Sequence, residues 1–397
     1  MKQILYNNPN ERLVTSEAVS YGHPDKIADQ IADAILDACL LEDPETRAGI
    51  EVLVKDNIIV LGGEIHTNAL VNYDVIARTV VSSIGFSKQH HLGFDELKVI
   101  NLIGQQSNEI RNGVDNGEQL AAGDQGFMVG YACNETKNYM PLGMYLARTI
   151  CDGVVSAGYG PDAKAQVIVA YDSNGWPIRV EDILVSTMHE NELSEVRRDV
   201  KNMIRSNNFR FHNQLNGIFV SIDETIYKEF IMDKNINIDV NPCGTWRIGG
   251  PVSDCGVTGR KLVVDAYGGY CNIGGGNASG KCFSKVDRSG AYMARYLAKN
   301  IVASGICDKA KVVLSYKIGV VQPCSIQISL NKNKTAVGEI TQYIINNIDL
   351  SPEGIIQRFN GKKAQYQITS RLGHYGIETY PWEKVDFADK LKRFLKN

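Results

Sequence analysis

Three times along the chain a stretch with helical periodicity closes on a glycine, and a lysine-bearing apolar strand follows. Val80-Val81-Ser82-Ser83-Ile84-Gly85 leads through Asp95 to Lys98-Val99-Ile100, and Val154-Val155-Ser156-Ala157-Gly158 leads through Asp162 to Lys164-Ala165-Gln166-Val167-Ile168. The third copy runs from Ile301-Val302-Ala303-Ser304-Gly305 through Asp308 to Lys311-Val312-Val313. Such recurrence points to one supersecondary unit used three times. Two-strand stretches alternate with the helices. Glu51 to Leu61 reads as two strands around an Asp56-Asn57 turn, and Val167 to Tyr171 resumes at Pro177 after Asp172-Ser173-Asn174-Gly175. Helices that alternate with hairpins favour antiparallel or mixed sheets, helices on one face, over a doubly wound parallel fold. At 397 residues the chain is also long for one core. The expected class is therefore α/β of the α+β type, with three similar domains. The asparagine-rich segment from Asn207 to Asn241 ends near a boundary.

Charge narrows the function. With 42 Lys+Arg against 45 Asp+Glu, a net charge of −3 provides no general positive field for nucleic acid or anionic lipid. A polyanion would have to bind locally. No apolar run reaches the roughly 18 residues of a membrane span, and the opening Met1 to Asn10 turns polar early, so a cytoplasmic protein with no membrane partner is expected. Nine cysteines never form C-x-x-C and seven histidines do not cluster with them, which argues against a disulfide scaffold or a zinc site.

A helix is predicted from Pro24 to Leu41, with Ile27, Ile31, Ala34, Ile35 and Ala38 on its buried face and Asp43-Pro44 at its end. Asp29, Asp33 and Asp37, four residues apart, read as its solvated edge. The entrance Gly22-His23-Pro24-Asp25 offers either a simple cap or a histidine and a carboxylate for phosphate and a hard cation. Denser still is the run from Ile248 to Ser289, where Arg260, Lys261, Lys281 and Lys285 alternate with Asp254, Asp287 and many glycines. Glycine lets the backbone approach an anion closely while cations supply charge, as polyphosphate binding requires. Gly275 to Lys281 fits the start of a P-loop, but Cys282 replaces the magnesium-binding Ser/Thr and no buried strand precedes it. Gly123-Asp124-Gln125-Gly126 reads as a turn presenting a carboxylate, and Lys164 by itself as a solvated lysine.

Taken in order, these motifs resemble those of the S-adenosylmethionine synthetases, or methionine adenosyltransferases. The likeness runs from Thr15-Ser16-Glu17-Ala18-Val19-Ser20 and Gly22-His23-Pro24-Asp25-Lys26 through Gly62-Gly63-Glu64-Ile65, Gly123-Asp124-Gln125-Gly126 and Pro161-Asp162-Ala163-Lys164. It continues in Gly250-Pro251, Thr258-Gly259-Arg260-Lys261, Ser284-Lys285-Val286-Asp287-Arg288-Ser289, Gly373-His374-Tyr375-Gly376 and Pro381-Trp382-Glu383-Lys384. The resemblance implies a three-domain subunit with pseudo-threefold symmetry, here residues 1–108, 119–239 and 241–397. It also implies a homodimer, or a dimer of dimers, with active sites between subunits.

The reaction so implied joins L-methionine to C5′ of ATP, expels the triphosphate and cleaves it to phosphate and pyrophosphate. A thioether has no proton to lose, so the barrier falls mainly by stabilising charge on the leaving group. By the same resemblance Lys164, Arg260, Lys261, Lys281 and Lys285 are the phosphate-binding cations and His23 stands beside the leaving oxygen. Asp25 and Asp287 are the carboxylates for two magnesium ions per site, and Glu51 the potassium ligand. Glu64, Gln106, Asp124 and Asp254 lie around methionine and the ribose. Asp162 belongs to the substrate-binding set, Trp246 takes the place of an adenine-stacking aromatic, and Asn108 to Glu118 matches a mobile cover. Tyr21 stands where many members carry glutamate, which puts potassium dependence in question. Cys282-Phe283 departs from the pattern between the two lysines without removing them. A polyphosphate-binding protein without turnover and a P-loop phosphotransferase are the rival readings.

Overall fold

The computed structural model describes residues 8, 10–105, 120–209, 221–363 and 366–395. Along the chain run β1 (Glu11–Val19), α1 (Pro24–Glu42), β2 (Arg47–Lys55), β3 (Ile58–His66), α2 (Tyr73–Ile84), β4 (Lys98–Asn101), β5 (Gly104–Gln105) and β6 (Gly126–Cys133). Next come α3 (Leu142–Ser156), β7 (Ala163–Asp172), β8 (Pro177–Thr187), α4 (Leu193–Ser206), β9 (Asn237–Val240) and β10 (Gly256–Val257). The remaining long elements are α5 (Val286–Ala303), β11 (Lys309–Tyr316), β12 (Ser325–Leu330), α6 (Val337–Asn347), α7 (Pro352–Phe359) and α8 (Gln367–Leu372). The chain divides into two compact units. One takes the described residues of Met1–Ser20, Pro141–Arg247 and Gly268–Tyr270, and the other those of Tyr21–Met140, Ile248–Tyr267 and Cys271–Asn397.

The first unit holds a sheet of order β1-β7-β8-β9. Its edge strand β1 pairs antiparallel with β7 from Glu11↔Asp172 to Val19↔Lys164, and β9 joins β8 in parallel. Helix α3 covers the sheet at close range, because Gly143 leaves room where a Cβ would come within 2.9 Å of Ser16 Oγ.

Two sheets stand in the second unit. One has the order β10-β2-β3-β4, with β5 beside β3, and carries α1 and α2. The other has the order β12-β11-β6 and carries α5. Both predicted hairpins form, β2 with β3 through Asp56 (φ 50°) and β7 with β8. The three repeat copies are α2 then β4, α3 then β7, and α5 then β11, each helix packed on the sheet its strand joins. Gly85, Gly158 and Gly305 follow the helices at φ of 110°, 96° and 79°, the left-handed turn that a glycine makes without strain.

Helix α1 runs as predicted, but it is buried nearly all round, between its sheet and α8. That second covering layer overturns the expectation of a solvated aspartate edge. Asp29 and Asp33 are 1% and 0% exposed, and Asp37 is half-buried.

Candidate active site

The outer edge of β2 organises much of the predicted site. Residues 256–257 pair with Leu53 and Val54, and Thr258 N donates to Val52 O at 3.0 Å. Two residues further along the same edge, Ile50 N donates to Gly280 O at 3.0 Å and Cys282 N to Ala48 O at 3.3 Å. Both glycine-rich segments are thus hung on one strand. Gly280 is held at φ 78° with Ile50 O at 2.1 Å from where its Cβ would lie, so only glycine fits. Glu51 lies between the two attachments, and its Oε2 accepts a short hydrogen bond from the Thr258 hydroxyl. Glu64 and Lys281 flank Gly49 in one row across the sheet. The Glu64 side chain is exposed there.

At the start of α1, His23 is the N-cap, and its Nδ1 accepts from Asp25 N at 3.1 Å. That bond uses the Nδ1 lone pair and leaves the proton of the neutral ring on Nε2. Asp25 is buried, at 1% exposure, by β10. Gly256 passes so close to Pro24 O that a Cβ would come within 2.1 Å of it. Val257 N donates to Asp25 Oδ1 at 2.9 Å and Lys261 Nζ to Oδ2 at 2.5 Å, with Arg260 Nε 3.6 Å from Oδ1. Burial opposes the charge on Asp25, but Lys261 and the Val257 N–H outweigh it and hold its carboxyl below the ordinary aspartate range. A second acid–cation pair joins Lys281 Nζ to Asp287 Oδ2 at 2.5 Å, at the first turn of α5. Gly276 leans on Asp287, since a Cβ there would come within 2.1 Å of Oδ1.

The buried aspartates of α1 are the functional scaffold that sequence reasoning missed. Asp29 Oδ1 accepts from Gly259 N at 3.0 Å, next to Arg260 and Lys261. Asp33 Oδ1 accepts from Gly280 N at 2.7 Å, next to Lys281, and both its oxygens receive Arg288 Nη2 at 2.7 and 2.8 Å. Asp37 takes Tyr366 N and Gln367 N at 2.7 and 2.9 Å. Burial raises the Asp29 carboxyl to about 6 and that of Asp37 to about 7. An i, i+4 row of acids can serve as a column of backbone N–H acceptors when glycine-rich segments cover it. The glycines themselves were the available signal.

The departures from the family pattern have structural counterparts. Phe283 is 3% exposed and packs among Phe359, Tyr366, Tyr292 and Trp382, which pins the segment between Lys281 and Lys285. Cys282 is buried, and five of the nine free cysteines are. The chain before Gly275 forms a short 3-10 turn at Gly268–Tyr270 and no strand, in line with the rejection of a P-loop. Tyr21 is buried with Arg371 Cζ 4.5 Å above its ring, a cation–π contact in place of an open carboxylate.

The remaining predicted residues sit on several other segments. Asp124 and Asp254 are exposed, each accepting the N–H of the following residue at 2.8 Å. Near Asp124, Ala122 is hydrogen-bonded to Val320 and Gly319, and Phe127, Ile318 and Val320 are 49%, 55% and 42% exposed. Lys285 is the N-cap of α5 and half-buried. Lys164, Asp162 and Trp246 belong to the first unit. Lys164 is exposed on β7, and Asp162 is buried just before it. Trp246 is half-buried, its backbone clamped by His189: N–H to O at 2.9 Å, and Nε2 accepting from Trp246 N at 3.5 Å. Gln106 and Asn108 to Glu118 lie outside the described residues.

Comparison with known proteins decides the family. Residues 11–108, 119–246 and 248–384 match, in turn, the N-terminal, central and C-terminal domains of S-adenosylmethionine synthetase. The chain belongs to the S-adenosylmethionine synthetase family. An S-adenosylmethionine synthase of Borreliella afzelii is 41% identical over 412 residues, covering 100% of both chains. One from Helicobacter pylori is 41% identical over 401 residues, covering 97% of this chain and 98% of its own. Among solved structures, one described as an unusual S-adenosylmethionine synthetase from Campylobacter jejuni superposes with a TM-score of 0.84 at 34% identity, covering 96% of this chain and 99% of that one. The three-domain fold of mixed helices and sheets is therefore that of the S-adenosylmethionine synthetases, and the activity class is methionine adenosyltransfer.

Proposed function

We propose that the chain joins ATP and L-methionine by attack of the thioether sulfur on C5′, with release and then hydrolysis of the triphosphate to phosphate and pyrophosphate. The observation that carries this reading is the pairing of each proposed magnesium carboxylate with a proposed phosphate cation, Asp25 with Lys261 and Asp287 with Lys281. A lysine parked on an acid is charged, oriented and ready to turn to an incoming phosphate oxygen. Arg260, half-exposed beside Asp25, adds a planar fork, and Lys164 and Lys285 complete the cation set. His23 donates through Nε2–H to the leaving oxygen. No general base is assigned to the first step, because sulfur carries no proton.

Asp25 and Asp287 also suit magnesium, an ion held by one or two carboxylates together with substrate phosphates. Among the described residues no group of three or more His, Cys, Asp or Glu is arranged to hold a metal ion by itself. Two magnesium ions when bound would neutralise phosphate charge. Glu51, exposed and already bridged to Thr258, is the proposed potassium ligand. Glu64, Gln106, Asp124 and Asp254 receive the methionine ammonium and the ribose hydroxyls, Asp162 assists at the substrate, and the apolar tail of methionine suits Phe127, Ile318 and Val320. Trp246 stacks on adenine.

A homodimer, or a dimer of dimers, with interfacial sites is supported by the outer face of the β2–β3–β4 sheet. Leu53, Ile58, Ile100 and Leu102 are 38%, 38%, 47% and 66% exposed on that sheet or just past its end. The test is product analysis. Incubation with ATP, methionine, magnesium and potassium should yield S-adenosylmethionine by mass spectrometry, with phosphate and pyrophosphate. ADP would instead indicate a phosphotransferase, and absence of turnover a binding protein.

A further inference from the structure

We infer that Lys26 is a positioning residue for the Arg260–Lys261 pair, acting through the two carboxylates that bracket it. The reading rests on the proposed binding of triphosphate by that pair. Lys26 is 2% exposed on the first turn of α1. Its Nζ donates to Asp265 Oδ2 at 2.6 Å and to Asp29 Oδ2 at 3.2 Å. Asp29 holds Gly259 N with its other oxygen, on the near side of Arg260. Asp265 closes the single helical turn Leu262–Asp265 on the far side, its N–H bound to Lys261 O at 2.8 Å.

Segment 259–265 is thereby fastened at both ends to one ammonium group, while Lys261 itself reaches Asp25 one residue before Lys26. A shift of Asp265 relative to Asp29 has to move the backbone that carries both phosphate cations. The far side of Asp265 is fixed as well. His374 N donates to its carbonyl at 3.3 Å, His374 Nε2 stands 3.9 Å from its carboxylate, and Tyr292 Oη lies 2.6 Å from His374 Nδ1.

Neutralising the lysine also leaves two acids facing each other, so a plain loss of stability has to be separated from a loss of positioning. Two full-length variants do this, Lys26→Met and the charge-compensated Lys26→Met/Asp265→Asn. Binding of inorganic tripolyphosphate with magnesium is measured by calorimetry, beside thermal midpoints and KM for each substrate. Lys26→Met should bind tripolyphosphate about tenfold or more weakly, the size of effect that lost outer-shell partners have at liganded sites. KM for ATP should rise while KM for methionine stays within twofold. The double variant should regain thermal stability and remain weak for tripolyphosphate. Parent-like tripolyphosphate affinity in the double variant, or in a folded Lys26→Met, would show that Lys26 only balances charge and would overturn the inference. Failure of the parent chain itself to bind tripolyphosphate would overturn the proposed function and this inference together.

Discussion

Replacing Asp33 by asparagine tests whether the column of buried acids on α1 carries the fold around Lys281. Asp33 and Arg288 are both fully buried, and the guanidinium also lies 4.4 Å over the Tyr366 ring. Burial opposes the charge on Arg288, yet Asp33 outweighs it and keeps the guanidinium charged. The amide in Asp33→Asn still accepts from Gly280 N, but it leaves a buried cation without its anionic partner. Breaking such a pair from one side costs about 3–5 kcal/mol. Removing both charges in Asp33→Asn/Arg288→Met should cost clearly less than the sum of the single changes, because no uncompensated ion remains. Urea midpoints give the stabilities, and hydrogen exchange of peptides spanning Gly280 to Arg288 locates the loss. Faster exchange confined to that segment and to its contacts on α1 is expected. A loss under about 1 kcal/mol for Asp33→Asn, or strict additivity in the double variant, would refute the assignment of the ion pair as the anchor.

Three further outcomes are expected. Lys164→Ala should lower turnover by roughly 10²- to 10³-fold, as expected for one transition-state donor, and a variant within threefold of the parent in a steady-state assay would remove Lys164 from the mechanism. Asp37 has an ordinary value of 3.8 and is raised to about 7 by burial in the folded chain, so its stabilising share is complete below about pH 4 and is lost as pH rises through 7. The unfolding free energy of Asp37→Asn, read in urea, should accordingly gain on that of the parent between pH 4 and 7, by no more than a few kcal/mol, and a constant difference would show that Asp37 does not titrate there. Gly130→Ala should destabilise the chain by about 1–3 kcal/mol or more in urea, because a Cβ would lie 2.0 Å from the Ala294 carbonyl carbon and force α5 off its sheet.

Local periodicity carried the helices and hairpins, because each of those signals is complete within a dozen or so residues. α1 from Pro24 and the β2–β3 hairpin around Asp56 needed nothing else. Sheet membership was not legible in the same way. β1 pairs with β7 across the length from Glu11 to Asp172, and β10 is two residues long, so neither partner is chosen by its own pattern. Glycines interleaved with Arg260, Lys261, Lys281 and Lys285 stood out as a pattern whatever the topology, whereas the strand edge from which they hang had no separate signature.

The misreading of Asp29, Asp33 and Asp37 exposes the physical limit. A polar stripe on a helix is solvated if the helix has one covered face, and buried if a second layer supplies donors to satisfy it. The periodicity is identical in the two cases. What separates them is the demand of the other partner. A glycine-rich segment that presents cations to a ligand has backbone N–H groups that no regular ladder satisfies, and each one buried without a partner costs on the order of 1–3 kcal/mol. Gly259 and Gly280 each meet that demand with one of these aspartates, immediately before the proposed phosphate cations Arg260 and Lys281. The same reasoning reaches Lys26: buried acids in a row call for buried cations, and Asp29 meets Lys26 as Asp33 meets Arg288. The acids of α1 are therefore set by the site rather than by the helix, and removing the site's glycines should make those acids a liability.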